Sequence, residues 1–209
     1  VLMVKNNKIL DRVSKLKRET NETKIDVKIN LDGKGNSNIK TNLPFFDHML
    51  EQLSKHSLID IDLICFGDIQ IDAHHTIEDV GWALGKAVND ALGEKKGIKR
   101  YSYSFLPMDE CLTRCCIDIS GRPWLIWNVF LPSIKIKDIE TEIFREFFQS
   151  FTNSSGITIH IENLYGNNSH HIVESCFKSL AIAIKEGIKI DPHNSENIPS
   201  TKGSLAGSY

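Results

Sequence analysis

His74-His75-Thr76-Ile77-Glu78 and His170-His171-Ile172-Val173-Glu174 are two copies of one pattern, and each opens an apolar stretch of helical period. Residues four apart share a helix face, so the spacing predicts His74 over Glu78 and His170 over Glu174. Adjacent helical residues point about 100° apart, so neither histidine pair suits a single ion from within one helix. The pattern reads as two metal ions, with each pair divided between them. The alternative is a pair of charged first helical turns that happen to hold histidines.

The likeness extends outward from these motifs. Upstream of the first lie Phe45-Phe46-Asp47-His48-Met49-Leu50 and the alternating run Leu58 to Leu63; upstream of the second lie Ile143-Phe144-Arg145-Glu146-Phe147-Phe148 and Gly156 to Ile161. Position 48 falls opposite 146, 98 residues on, and 74 opposite 170, 96 residues on, so the halves differ by a two-residue deletion. Earlier still, Ile25 to Leu31 ends in Asp32-Gly33, and Cys115 to Ile119 ends in Ser120-Gly121; both read as alternating strands closed by tight turns. Each half is expected to be a hairpin, a helix, one or two strands and a His-His helix. That predicts an α+β fold, internally duplicated, with helices on one face of each sheet. The divisions are an N-terminal extension over 1–17, half-repeats over 18–98 and 99–190, and a tail over 191–209.

Two hundred and nine residues can bury a good core. A net charge of −2 gives no basic field for nucleic acid or a membrane surface. No apolar run approaches membrane-spanning length, and the lysine-bearing N-terminus lacks the apolar core and cleavage site of a secretory signal. The chain opens on Val1 rather than methionine, as a piece of a longer chain would. Five cysteines, at 65, 111, 115, 116 and 176, are odd in number and lack CxxC spacing. They read as reduced thiols of a cytoplasmic protein, packed rather than metal-bound, with Cys115 and Cys116 on opposite faces of a strand.

Imidazoles and carboxylates without thiolate suit manganese, iron, zinc or nickel rather than magnesium or calcium. The repeats supply His74, His75, Glu78, His170, His171 and Glu174, and His48 is a seventh ligand in the duplicated frame. Glu146 stands opposite His48 and is a carboxylate in its place.

The segments LPFFDHMLEQLSKHS (43–57), DAHHTIEDVGWALGKA (72–87), DISGRPW (118–124), NSHHIVESCFKSLA (168–181) and IPSTKG (198–203), in this order, resemble the imidazoleglycerol-phosphate dehydratases of histidine biosynthesis. The match runs from about Arg18 to Gly203. It implies a duplicated fold like domain 2 of ribosomal protein S5. It also implies a homo-oligomer of 24 subunits with two Mn2+ per active site, formed at subunit contacts. The substrate is a phosphorylated imidazole, and the resemblance assigns its binding to Glu22, Gln52, Arg100, Arg122, Lys178, Ser200 and Lys202; of these Arg100, Arg122, Lys178, Ser200 and Lys202 are residue types that suit a phosphate. Lys178 also follows from spacing, two turns beyond His170 on the Glu174 face.

The reaction implied is loss of water across C2 and C3 of a glycerol chain attached to an imidazole. The C2 proton is not beside a carbonyl. In this family manganese favours the imidazolate of the substrate, which expels the C3 hydroxyl through a diazafulvene-like intermediate. Loss of the C2 proton then gives an enol that relaxes to imidazole-acetol phosphate. Glu22 matches the family's acid/base glutamate, contributed by a neighbouring subunit, and His75, Glu78 and His171 complete the catalytic set. His56, His160 and His193 receive no catalytic role. Asp72 and Asp79 are expected either to bond ligand imidazoles or to cap the helix.

Three positions depart from the family pattern: Glu146 for a ligand histidine, Ala73 for an aspartate, and a tail without the usual arginines before Ser200. Two competing readings use the same residues. One is a di-metal phosphoester hydrolase built on a bridging hydroxide; the other is an assembly remnant impaired by Glu146.

Overall fold

The computed structural model describes residues 12–205. Its first repeat runs β1 (Val13–Glu19), β2 (Thr23–Asn30), β3 (Ser37–Lys40), α1 (Pro44–Ser57), β4 (Asp60–Gly67) and α2 (His74–Leu92). The second runs β5 (Tyr101–Met108), β6 (Cys111–Asp118), β7 (Trp124–Asn128), a two-stranded insertion β8 (Lys135–Ile136) and β9 (Ile139–Glu140), α3 (Ile143–Ser155), β10 (Thr158–Tyr165) and α4 (Ser169–Gly187). The sheets have the same order, β1-β2-β4-β3 and β5-β6-β10-β7. In both, the last pair is parallel and the others antiparallel.

One detail differs from the sequence expectation. The turns after Leu31 and Ile119 do not return the chain to the strand just left; they carry it past β4 or β10, where β3 and β7 pair in parallel. The hairpin turns lie earlier, between β1 and β2 and between β5 and β6. In each repeat the first helix, α1 or α3, comes after the short edge strand, β3 or β7, and is followed by a single inner strand, β4 or β10. β3 has four residues with one buried, and β7 buries none fully, so neither shows the inward alternation that marks a strand in sequence.

Alternation holds in the inner strands. Ile25, Val27 and Ile29 of β2 face inward, as do Cys111, Thr113, Cys115 and Ile117 of β6. Cys115 is fully buried and Cys116 is exposed, as opposite pleat faces require. Burial pushes the Cys65 thiol up to about 12, consistent with packing rather than reactivity.

The helices lie between the sheets and pack across the repeats. α2 rests on β1 and β2 and meets α3; α4 rests on β5 and β6 and meets α1. Gly81 and Gly85 let α3 approach closely, since a Cβ would stand 2.6 Å from the Phe147 carbonyl oxygen and 2.4 Å from that of Phe151. Phe177 of α4 packs against Phe46 of α1 and against Phe147 and Phe148 of α3. All four rings are fully buried, and burying such a ring stabilises by about 1.5–3 kcal/mol. The halves therefore share one core.

Their outer faces differ. The first sheet turns out Lys15, Lys17, Lys24 and Lys28, whereas the second exposes Tyr101, Tyr103, Phe105, Trp124 and Ile126. Among the described residues no helix is long and apolar enough to cross a membrane.

Candidate metal centre and active site

Both His-His motifs occupy the first turns of their helices. The backbone N–H of His74 donates to Asp72 Oδ1 at 3.1 Å, and that of His170 to Asn168 Oδ1 at 2.9 Å. These carboxylate and amide caps satisfy donors that the helix leaves free. Asp72 is thus a cap. Asp79 receives Arg18 Nη1 at 2.5 Å and the Thr23 hydroxyl, so it ties α2 to the first sheet rather than touching a motif histidine.

The repeats bring three ligand groups together where α1 meets α4. His48, His170 and Glu174 offer ligand atoms all within 4.8 Å of one another. His170 Nε2 lies 3.0 Å from Glu174 Oε2, and His48 Nε2 lies 3.7 Å from the same oxygen. Lys178 Nζ holds the other oxygen at 2.6 Å. Burial alone would raise the Glu174 carboxyl, but Lys178 and His170 outweigh it and hold its pKa below the ordinary value. Phe45 packs edge-on against the His170 ring, centroids 5.0 Å apart. An anionic carboxylate between two imidazoles is a donor set that fits a borderline divalent cation.

The pseudo-equivalent group, where α3 meets α2, is less closed. His74 Nε2 lies 3.3 Å from Glu78 Oε2. Glu146 and His74 line the same cavity of about 490 Å³, walled by Trp127, Phe130 and Leu131. The Glu146 carboxylate is engaged by Arg145 Nη1 at 3.0 Å, and it is not in a three-residue ligand group among the described residues.

The second histidine of each motif points elsewhere. The rings of His74 and His75 are 6.2 Å apart and inclined at 77°; those of His170 and His171 are 6.0 Å apart and inclined at 81°. His75 Nδ1 lies 3.1 Å from both oxygens of Asp68, and its Nε2 faces Glu22 Oε1 at 3.8 Å. His171 Nδ1 lies 2.7 Å from Glu110 Oε2, and its Nε2 faces Asp109 Oδ2 at 3.8 Å. The hydrogen bond to Asp68 raises the pKa of His75, and the one from His171 holds the Glu110 carboxyl down to about 2. Asp68 and Glu110 were absent from the sequence reading because each sits in a loop outside the motif. An acidic residue in a turn carries no local signal of the ring it will meet.

The phosphate-type residues gather at the other end of α4. Arg100, whose backbone N–H donates to the Gly187 carbonyl, forks onto Asp118 at 2.7 and 3.1 Å. Its Nη1 donates to the Pro199 carbonyl at 2.8 Å, and Arg122 Nη2 lies 3.6 Å from Asp118. Buried Leu205 and the bond from Gly97 N–H to the Asn197 carbonyl hold the tail against this corner, with Ser200 partly exposed and Lys202 exposed. From His170 to Gly187 is seventeen residues of helix, about 25 Å at 1.5 Å each. Within one chain the metal-ligand group and the arginine–tail group therefore stand a helix length apart. Lys178 lies between them beside Glu174, and Gln52 lies one turn beyond His48 on α1. His56 is partly buried and His160 is exposed on the outer face of β10, while His193 is exposed in the loop after α4.

Comparison with known proteins supplies a family and a shared fold. The family model described as imidazoleglycerol-phosphate dehydratase matches residues 41–184. A protein of that name from Rhodopseudomonas palustris is 54% identical over 196 residues, 94% of this chain and 100% of that one. One from Sinorhizobium fredii is 50% identical over 197 residues, 94% of this chain and 98% of that one. Among solved structures, the imidazoleglycerol-phosphate dehydratase of Staphylococcus aureus is similar with a TM-score of 0.78 and 31% identity, covering 86% of this chain and 99% of its own. The Pyrococcus furiosus enzyme in complex with (S)-C348 also gives a TM-score of 0.78 at 31% identity, covering 90% and 99%.

Proposed function

The chain belongs to the imidazoleglycerol-phosphate dehydratase family, hydro-lyases of histidine biosynthesis, and from that premise we propose a manganese-dependent dehydration with two ions per active site. The observation that carries the metal reading is the convergence of His48, His170 and Glu174 from opposite repeats. His74, Glu78 and Glu146 would hold the second ion, with His75 and His171 offered to ions shared with neighbouring copies. When bound, manganese supplies Lewis-acid polarisation of the substrate imidazole and lowers its pKa. The protein's own groups do the rest. Glu22, beside His75, is the group to move the C2 proton. Lys178 neutralises Glu174 on one side, leaving its other oxygen for the metal. Arg100, Arg122, Ser200 and Lys202 would bind the phosphate, and Gln52 would touch the substrate.

The helix length between the two groups supports an active site built by more than one chain, because an imidazole on a phosphorylated three-carbon chain cannot reach from one end of α4 to the other. The aromatic outer face of the second sheet supports the same reading: a patch of Tyr101, Tyr103, Phe105, Trp124 and Ile126 is more apolar than a free surface usually tolerates. A 24-subunit assembly in the cytoplasm is the form proposed. The phosphoester-hydrolase reading is not favoured, since the relatives are named as dehydratases.

The test strips metal from the protein, reloads it with manganese, counts ions per chain and follows turnover of imidazoleglycerol phosphate. About two ions with turnover supports the proposal, and two ions without turnover would overturn the catalytic assignment while leaving the metal reading intact.

A further inference from the structure

We infer that Asp68 and Glu110 are positioning residues that aim the Nε2 atoms of His75 and His171 at the bound metals, an inference that rests on the metal reading above. A carboxylate can only accept, so the short contacts from Asp68 and Glu110 fix the proton of each imidazole on Nδ1. That leaves the Nε2 lone pair of each ring free and turned away from its own helix. Each Nε2 faces a further carboxylate 3.8 Å away, Glu22 in one repeat and Asp109 in the other, so each free lone pair opens onto acidic surroundings that favour a cation.

Two observations separate this from ordinary acidic decoration of a helix start. The capping role is already filled by Asp72 and Asn168, which take the backbone N–H groups; Asp68 and Glu110 meet ring nitrogens instead. And the two carboxylates are not repeat equivalents. Asp68 follows β4, whereas Glu110 lies in the turn between β5 and β6, which corresponds to the turn carrying Glu22. Duplication would have copied one position into the other. Instead two unrelated loops deliver the same contact to the same ring atom, so the contact itself is the common feature.

Both carboxylates are themselves held. The Asp68 backbone N–H donates to the Glu22 carbonyl at 3.1 Å, which joins the loop that aims His75 to the turn that bears Glu22. Glu110 Oε1 accepts the backbone N–H groups of Asn167 and Asn168 at 3.3 and 3.0 Å. Removing such an outer partner of a ligand histidine typically costs 10–100-fold in metal affinity.

The experiment is a manganese titration of the stripped 209-residue chain, with free Mn2+ read by its paramagnetic resonance signal, on wild type, Asp68→Asn, Glu110→Gln, His75→Ala, the Asp68→Asn/His75→Ala pair and Asp72→Ala. Asp68→Asn and Glu110→Gln are each expected to weaken one class of site by about 10–100-fold, and Asp68→Asn to add nothing once His75 is gone. Asp72→Ala, which removes only a cap, is expected to leave manganese affinity unchanged. Wild type holding two ions while Asp68→Asn and Glu110→Gln hold them as tightly would overturn the assignment alone. So would a full additional loss from Asp68→Asn in the His75→Ala background, or an equal loss from Asp72→Ala. Wild type that binds no manganese would overturn the metal reading and this assignment with it.

Discussion

At the scale of single residues, the histidine motifs could be read from sequence because residue type and spacing together define a helical face. His170 over Glu174 and His74 over Glu78 follow from that spacing alone. What spacing cannot supply is which loop comes to rest against a ring, so Asp68, Glu110 and the Asp118 fork on Arg100 came only with the fold. Glu22 was assigned by resemblance, and it lies beside His75. Glu22→Gln keeps the shape and removes the base, so manganese content should stay at the wild-type level while turnover falls by about 10²–10⁴; rate and metal counting on one preparation check both, and retained turnover removes Glu22 from the mechanism. Glu146 is a second residue whose role is decided by charge. It shares a cavity with His74 but is held by Arg145. If it is a ligand, Glu146→Gln should leave one ion per chain after gel filtration where wild type keeps two, and Glu146→His should keep both. Two ions retained by Glu146→Gln would show that the carboxylate binds Arg145 and no metal.

At the scale of elements, β2, β4, β6 and β10 were legible because one face of each is buried and the other is not, which writes a period of two into the chain. β3 and β7 were not, since a short edge strand held mainly by backbone pairing needs no such pattern. The helix pairing was also hidden. The pattern of α2 shows an apolar face, but not that α3 of the other repeat would cover it. Gly81 and Gly85, four apart, are the local mark of that crossing, and their meaning depends on the neighbour. Gly85→Ala places a methyl against the Phe151 carbonyl and the Ser154 hydroxyl. Although alanine is the better helix former by about 1 kcal/mol, overpacking of this kind costs about 1–3 kcal/mol. A net loss is expected, seen as a lower urea midpoint; an unchanged or higher midpoint would mean that α3 can move aside.

At the scale of the molecule, the duplication was plain in the sequence, because two motifs at a nearly constant offset have no simpler source. The sharing of one core between the repeats was not, and neither was the separation it imposes on the site. α4 starts at the metal-ligand group and ends at the arginine–tail corner, about 25 Å away, and the fold offers no route for one substrate to touch both on the same chain. If a substrate takes its metal from one chain and its phosphate grip from another, damage at the two ends should be complementary. His170→Ala spoils the metal end and leaves the tail; truncation after Pro199 spoils the tail, leaves the metal end and should raise KM sharply on its own. Chains with either defect, expressed together and assembled into one particle, will form some contacts where an intact metal end meets an intact tail. Turnover at low substrate should then exceed that of either variant assembled separately, while mixing the finished particles without reassembly should give no gain. If co-assembled chains show no such gain, each chain must complete its own site, and the tail would have to leave the Arg100 corner to reach it.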